Sequence, residues 1–343
     1  MTIQAHDATS GRSPAEILEW SRAQVEPALR TAIAGLPPSV RRIADFHFGG
    51  DGRATLAAPG TFVRAALTLL VCDAVGGVPG DALPAAVAVE LVHNFSLMHH
   101  DIMNGGGTRR HRATVWAAFG PGPALLCGDA LLGLAFDVLD AGGKSHAAAA
   151  ADSLALTVQD VVEGQASDGE YETRDDVSLT ECLRVARLKT GSLLACSTGL
   201  GALMGGADSN QIAQLRLYGE LLGVAHQLVE DSLGIWGEPV TANHDHADLR
   251  RRKKTLPVVA ALVSGTVPGQ ELAELYRQRG DLSDRDLVRA ADLIEAAGGR
   301  AASRSQADEL LLAAVRELAT GAVSGRAVRE LEGVARMVAG RDH

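Results

Sequence analysis

Helix-forming segments that are apolar on more than one side dominate this 343-residue chain. Alanine and leucine recur along them, whereas alternating β-branched runs, the pattern typical of strands, are scarce. A helix that is apolar on several sides needs neighbours on each of them, so these segments belong inside a large bundle. The predicted helices cover 64–75, 82–104, 122–140, 148–164, 178–204, 209–233 and 255–264. The pattern therefore predicts an all-α fold without a parallel sheet.

The domain organisation follows from caps and linkers. Residues 1–12 are polar and are predicted to form a disordered tail. Ser13 can cap a helix that starts with Pro14, and Glu16 can return the hydrogen bond. No later stretch is long or biased enough to act as a domain linker, and 46% of the residues are hydrophobic. We therefore expect one large helical domain over 13–343.

Charge and composition exclude several classes of protein. The net charge is −10, which disfavours nucleic-acid binding because that needs an excess of lysine and arginine. No secretion signal precedes the first helix, and no apolar run is long enough for a transmembrane segment. The four cysteines lie in apolar runs without a CxxC pair, so buried reduced thiols in a cytoplasmic protein are expected.

A first polar constellation lies at the end of the predicted helix 82–104. It brings together an imidazole, a carboxylate and an amide, those of His100, Asp101 and Asn104. Three glycines follow, and then Arg109 and Arg110. Oxygen ligands beside guanidinium groups suit a diphosphate bridged by a hard cation. A polar helix end followed by a solvated basic loop explains this segment equally well when it is taken alone.

A second constellation places Glu230 and Asp231 in an otherwise apolar stretch. Adjacent carboxylates in such surroundings repel one another and are costly to desolvate, and a nearby cation relieves both effects. The basic run 248–257 follows, which indicates either a loop that faces phosphate or a solvated turn. The acidic total charge and the helix that begins directly afterwards favour the phosphate-facing loop.

The two constellations, in this order and at this separation, resemble the trans-polyprenyl diphosphate synthase family. That family carries two Asp-Asp-x-x-Asp motifs on facing helices, and the metals that they hold bind the diphosphate leaving group. Residues 100–104 resemble the first motif, and 230–234 resemble the second. The resemblance implies an isoprenoid synthase fold, which is a single helical bundle around a central apolar cavity. It also implies an allylic isoprenoid diphosphate substrate, Mg²⁺ or else Mn²⁺ or another divalent metal, and a homodimer.

The resemblance further implies roles for individual residues. The implied metal ligands are His100, Asp101, Asn104, Glu230 and Asp231. The implied diphosphate-binding residues are Arg109, Arg110, Lys189 and Lys253. The implied catalytic residues are Asp101, Lys189, Gln227 and Asp231. A second-substrate pocket would use Arg64, His93 and Arg110, and the cavity would be lined by Phe95 and Ser96.

The chain departs from the family pattern at three informative positions. His100 and Asn104 replace aspartates of the first motif, and Thr61 replaces a lysine that binds isopentenyl diphosphate in the family. A charge-assisted hydrogen bond contributes about 1.5–3 kcal/mol, so the loss of that lysine should weaken binding roughly ten- to a hundredfold. Two neutral ligands in place of carboxylates should make the first motif bind fewer cations or bind them more weakly. Alternatively, His100 should favour a softer divalent metal than magnesium.

Three functions fit this pattern. The first is a terpene-synthase-like or non-standard prenyl-transferring enzyme, which the replacement at Thr61 favours and the 3% aromatic content disfavours. Ordinary head-to-tail chain elongation with isopentenyl diphosphate, as in geranyl, farnesyl or geranylgeranyl diphosphate synthases, ranks slightly behind it. The third is a non-catalytic subunit of a heteromeric synthase. It ranks last because Asp101, Arg109, Lys189 and Asp231 are all retained.

Overall fold

The computed structural model describes residues 11–49, 62–109, 112–142, 146–237, 246–320 and 325–339. Nearly all of them lie in helices. The α-helices in chain order are α1 Pro14–Ala34, α2 Pro38–His47, α3 Val63–Ala74, α4 Leu83–Asn104, α5 Val115–Phe119, α6 Pro121–Ala141, α7 Ala147–Tyr171, α8 Leu179–Ala186, α9 Ser192–Met204, α10 Ser209–Trp236, α11 Ala247–Arg250, α12 Leu256–Leu262, α13 Val267–Arg277, α14 Asp284–Ala296, α15 Gly299–Thr320 and α16 Gly325–Ala339. The prediction of an all-α protein is confirmed.

Three shorter elements complete the described chain. A 3₁₀ turn, Pro79–Ala82, precedes α4, and a π-helical segment, Arg187–Gly191, joins α8 to α9. Two-residue strands β1 (Thr108–Arg109) and β2 (Arg112–Ala113) pair antiparallel after α4. The sequence predicted one continuous helix over 178–204, and the structure widens it at the π-helical segment.

The core surrounds α3 and α9. Every residue of α9 from Ser192 to Ala202 is buried, which matches a helix without a polar face. Gly201 allows α9 to lie directly on α3, because a Cβ there would collide with the backbone carbonyl of Thr68. The four cysteines are buried and unbridged, as predicted. Among the described helices, none combines the length and apolar character needed to cross a bilayer.

Several helix boundaries are fixed by side-chain caps. Ser13 and Glu16 form the predicted capping box at the start of α1, and Ser283 forms another with Asp286 at α14. Arg12, the last residue of the predicted tail, donates hydrogen bonds to the buried carboxylate of Glu330 on α16. The first ten residues lie outside the described part of the chain.

Candidate active site

The first constellation lies where α4 ends. Gly105 closes the helix with φ +65°, a conformation that favours glycine, and its N–H points back to the Asp101 carbonyl. Asp101 is buried, whereas His100 and Asn104 are partly exposed. The Asn104 amide nitrogen lies 2.6 Å from Nε2 of His100. The predicted ligands of the first motif therefore come together at one helix end.

Arg109 on β1 binds the Asp101 carboxylate with its guanidinium group. Its Nη2 lies 2.7 Å from Asp101 Oδ1, and its Nε lies 3.0 and 3.2 Å from the two carboxylate oxygens. The loop before β1 is held in place because Thr114 and Trp116 donate side-chain hydrogen bonds to the carbonyl of Gly106. Burial pushes the pKa of Asp101 upward, but the contacts with His100 and Arg109 outweigh it and hold the pKa below its usual value.

The π-helical segment supplies Lys189 and Thr190. Gly164 on α7 lies so close to this segment that a Cβ there would stand 2.8 Å from the Lys189 backbone nitrogen. The close approach places Lys189 Nζ 2.5 Å from Asp168 Oδ2, one turn further along α7. π-helical turns are rare, and they occur often at functional sites.

The second constellation lies near the end of α10. Glu230 is exposed, and Asp231 is partly buried. The Thr190 hydroxyl donates to the Gln227 side-chain carbonyl at 2.5 Å, and the Gln227 amide donates to Asp231 Oδ1 at 2.8 Å. Gln227 is thus held between the π-helical segment and the carboxylate of Asp231.

The segment 246–255 brings a lysine to these carboxylates. The Lys253 Nζ lies 3.1 Å from Asp248 Oδ1 and 3.5 Å from Asp168 Oδ2, and its side chain is only 8% exposed. Its neighbour Lys254 instead donates to the Glu172 carbonyl and lies over the Tyr276 ring. Of the two adjacent lysines, Lys253 is therefore the one that lies among the acidic groups of the site.

The two constellations belong to one electrostatic environment. Burial lowers the pKa of His100, and the positive charges of Lys189 and Lys253 lower it further. The same lysines outweigh the effect of burial at Asp168 and hold its pKa at about 2. His100 at the end of α4 therefore lies within the field of the lysines that pair with Asp168 and Asp248.

Asp231 has the most perturbed carboxyl group of the site. Burial raises its pKa to about 7, and repulsion from Asp248 and Asp168 contributes in the same direction. The Gln227 hydrogen bond and the Lys253 charge oppose that rise without cancelling it. A carboxylate in this setting is stabilised by any additional cation.

The predicted second-substrate residues are only partly described. Arg64 and His93 are partly exposed on α3 and α4, whereas Arg110 and Thr61 lie outside the described residues. Glu90 was not among the predicted site residues; it is 2% exposed and accepts a hydrogen bond from the Ala65 backbone at 3.1 Å. Burial raises its pKa to about 7, and the charge of Arg64 opposes the rise.

The sequence does indicate that Glu90 is unusual, because it is the single carboxylate within the apolar run 85–92. The partnership of Thr190 with Gln227 had no such signal, since it joins residues that are distant in the sequence. Phe95, predicted to line a cavity, is 6% exposed and packs edge-to-face on His99 at 4.6 Å. Ser96 donates to the His93 carbonyl. Their role in lining a cavity stays a prediction.

The donors of the site test whether a divalent metal fits. Within the described ranges, no three His, Cys, Asp or Glu side chains come close enough to hold a metal ion by themselves. Mg²⁺ usually keeps several waters and takes one or two carboxylates together with substrate phosphates. Asp231 near Asp248 meets that requirement. Asp101 does so less well, because Arg109 already binds both of its oxygens.

Comparison with known proteins agrees with this geometry. The family model described as polyprenyl synthetase matches residues 52–294. A (2E,6E)-farnesyl diphosphate synthase of Mycobacterium tuberculosis is 39% identical over 332 residues, covering 95% of this chain and 92% of that protein. A geranylgeranyl diphosphate synthase of the same organism is 40% identical and covers 93% of each chain.

A solved structure shows the same architecture. The polyprenyl synthetase from Streptomyces coelicolor A3(2) superposes with a TM-score of 0.88 at 40% identity, covering 94% of this chain and 98% of that one. The all-α bundle is thus the isoprenoid synthase fold, as the sequence resemblance implied. The chain belongs to the polyprenyl synthetase family and is an isoprenoid diphosphate prenyltransferase.

Proposed function

We propose that the protein elongates an allylic isoprenoid diphosphate by head-to-tail condensation with isopentenyl diphosphate and releases diphosphate. The observation that carries this proposal is the joint placement of Lys189 and Lys253 beside the carboxylates of Asp168 and Asp248. The names of the relatives, farnesyl and geranylgeranyl diphosphate synthase, favour elongation over the terpene-synthase-like function that the sequence analysis ranked first. They also point to a short-chain product.

The residues of the site support heterolysis of the allylic carbon–oxygen bond. Negative charge develops on the departing diphosphate, and the ammonium groups of Lys189 and Lys253 are already positioned by Asp168 to stabilise it. Arg109, held by Asp101, offers a guanidinium group to the same leaving group. A bound Mg²⁺ would draw further charge from the diphosphate oxygens.

Asp231 and Asp248 are the carboxylates best placed to hold that Mg²⁺. Gln227 acts as a positioning residue, because it accepts from Thr190 and donates to Asp231. Glu230 is exposed at the adjacent position, where it adds negative charge to the site. Manganese or another divalent metal fits the same oxygen donors.

The second substrate would bind near Arg64 and His93. Glu90 lies beneath this region, where it accepts from the Ala65 backbone and attracts Arg64. Arg110 and Thr61 are assigned to the pocket by sequence alone. If the pocket works this way, Thr61→Lys should lower the KM for isopentenyl diphosphate about tenfold or more and leave the KM for the allylic substrate unchanged.

One assay separates the candidate functions. The purified protein is incubated with geranyl or farnesyl diphosphate and Mg²⁺, with and without isopentenyl diphosphate, and both diphosphate release and the organic products are measured. We expect release that depends on isopentenyl diphosphate and a product longer by one isoprene unit. Release in its absence would instead favour the terpene-synthase-like function. No release by this chain with any divalent metal would favour a non-catalytic subunit.

We also propose a homodimer located in the cytoplasm. Of the large apolar side chains that are exposed, four lie on the adjacent helices α6 and α7, namely Leu125, Leu126, Leu156 and Val162. Exposed apolar side chains of this kind are typical of subunit interfaces. Light scattering should give twice the chain mass, and Leu126→Asp should yield monomers. A wild-type monomer at micromolar concentration would refute the dimer.

A further inference from the structure

The two constellations offer a metal ion unequal ligands. In the first, Asp101 accepts hydrogen bonds from Arg109 on both oxygens, at 2.7, 3.0 and 3.2 Å. The ring nitrogens of His100 lie within hydrogen-bond distance of the Asn104 amide and, at 3.4 Å, of Arg109 Nη2. Each group of the first constellation that could bind a metal is therefore already paired with a neighbour.

The charge of the first constellation is also balanced. Asp101 carries one negative charge and Arg109 one positive charge, and Asn104 is neutral. A divalent cation placed there would be repelled by the guanidinium group that lies against its only anionic ligand. The attraction of a single carboxylate would then be largely cancelled.

The second constellation has excess negative charge. Besides Asp231 and the exposed Glu230 of α10, it includes Asp168 and Asp248, which lie close enough to repel the Asp231 carboxylate. The ammonium groups of Lys189 and Lys253 face these four carboxylates. Lys253 bonds with Asp248 and Asp168, whereas Asp231 receives its hydrogen bond from the neutral Gln227 amide. Four carboxylates against two ammonium groups leave two negative charges in excess, which one divalent cation balances.

Gly234 lies where the Asp248 carboxylate approaches α10. A Cβ at Gly234 would stand 3.3 Å from Asp248 Oδ2, so the Asp248 carboxylate lies against α10 one turn after Asp231. Asp248 thus occupies the place toward which a longer side chain at 234 would point. Position 234 corresponds to the last aspartate of the family's second motif. Asp248, from the segment 246–255, brings a carboxylate to the side of α10 where Gly234 has none.

We propose that divalent cations bind only at the second constellation, between Asp231 and Asp248, and that the first constellation binds diphosphate directly through Arg109. This inference rests on the proposed function for the identity of the ligand. The Arg109 side chain is 37% exposed. Its Nε and Nη2 are directed to Asp101 and His100, which leaves Nη1, among the described contacts, for a phosphate oxygen.

Metal stoichiometry tests the first half of the inference. Mn²⁺ is titrated into the protein in the presence of inorganic diphosphate, and bound ions are counted by electron paramagnetic resonance. We expect about one Mn²⁺ per chain, since a site of this kind uses one or two carboxylates with phosphate oxygens. Asp231→Asn should lose that ion, and His100→Asp with Asn104→Asp should gain one or more. Asp137→Asn, which removes an exposed carboxylate from α6, should leave the count unchanged.

Metal-free binding tests the second half. In the presence of EDTA, Arg109→Met should weaken the binding of inorganic diphosphate about ten- to a hundredfold, and Asp231→Asn should not weaken it. Circular dichroism verifies that each variant is folded. Two or more Mn²⁺ ions on the wild-type chain, or an ion that survives Asp231→Asn, would overturn the inference.

The failure of this inference and the failure of the proposed function are distinguishable. A chain that elongates its substrate while binding several ions refutes the metal assignment and leaves elongation standing. A chain that binds about one ion but forms no product refutes elongation and leaves the metal assignment standing.

Discussion

The two acidic helix ends of this protein resemble the same family motif but differ in their state of charge. At the end of α4, Asp101 is bound by Arg109, and its pKa lies below the usual value. Near the end of α10, Asp231 is hydrogen-bonded only to a neutral amide among the contacts described, and its pKa is raised to about 7. A motif match therefore does not establish what a carboxylate does. The charges around it decide whether it positions an arginine or binds a metal.

The largest expected effect is a difference in catalytic activity between variants of Asp231 and Asp101. Asp231→Asn should lower kcat/KM about 10³-fold or more, because no other group replaces the lost charge next to the leaving group. Asp101→Asn should cost only about 10–100-fold, because Arg109 remains and merely loses its partner. Initial rates of isopentenyl diphosphate incorporation measure both values. Equal losses would mean that both helix ends bind metal, and the contrast between them would disappear.

The same two substitutions should change stability in opposite directions. In EDTA at pH 8, Asp231→Asn should raise the free energy of unfolding by up to about 4 kcal/mol, from 1.36 kcal/mol per pKa unit. The unfolded state ionises Asp231 near pH 4 and the folded state near pH 7, so the penalty is complete above pH 7 and absent below about pH 4.

Asp101→Asn should instead destabilise the protein by about 2 kcal/mol at pH 8, through loss of a charged hydrogen-bonded pair. Because the folded-state pKa of Asp101 is lowered, the wild-type advantage is present above pH 4 and is lost as the pH falls through that pKa. Urea unfolding at several pH values measures both effects. If both variants shift stability in the same direction, the assignment of opposite charge states is wrong.

The adjacent residues Lys253 and Lys254 provide a further test of the second constellation. Lys253→Met should lower kcat/KM about 100-fold, since its ammonium group lies between Asp248 and Asp168 at the second constellation. Lys254→Met is the matched control, because Lys254 bonds with the Glu172 carbonyl and lies over Tyr276. The control should keep most of its activity. Equal losses in the two variants would indicate a structural role for the whole segment.

The smallest expected effect concerns a glycine that lies beside the π-helical segment. Gly164→Ala should cost about 1–3 kcal/mol in stability and about tenfold in activity, because the new methyl group displaces the backbone of Lys189. Gly169→Ala on the same helix meets no atom within 4 Å and should be neutral or slightly stabilising. Thermal unfolding and steady-state rates compare the pair. If Gly164→Ala is as harmless as Gly169→Ala, the close approach does not position Lys189.

Sequence patterns predicted the all-α fold, because the signals for helices lie within short stretches of the chain. Apolar periodicity located the helices at the centre of the bundle, and the capping box at Ser13 located the start of α1. The motif match identified Asp101, Lys189 and Asp231 as site residues. The pairing of these groups was not predictable, since Arg109 with Asp101 and Thr190 with Gln227 are brought together by tertiary packing.

The ranking of functions depended on a residue that carries little weight by itself. Thr61 favoured a terpene-synthase-like enzyme in the sequence analysis, whereas similarity over nearly the whole chain favours elongation. A single lost lysine changes a binding energy by a few kcal/mol, and neighbouring arginines can compensate for part of it. Similarity over the whole chain is the stronger argument, because it includes every residue of the pocket and not a single position.

Because the turn at Arg187–Gly191 is widened, two neighbouring residues contact two different helices. Lys189 contacts Asp168 on α7, and Thr190 contacts Gln227 on α10. Deleting one residue from this turn would restore a regular helix and rotate every later residue by about 100°. Both contacts would then be lost in one step, together with the buried surface of α9. This segment should therefore tolerate substitutions far better than changes in its length.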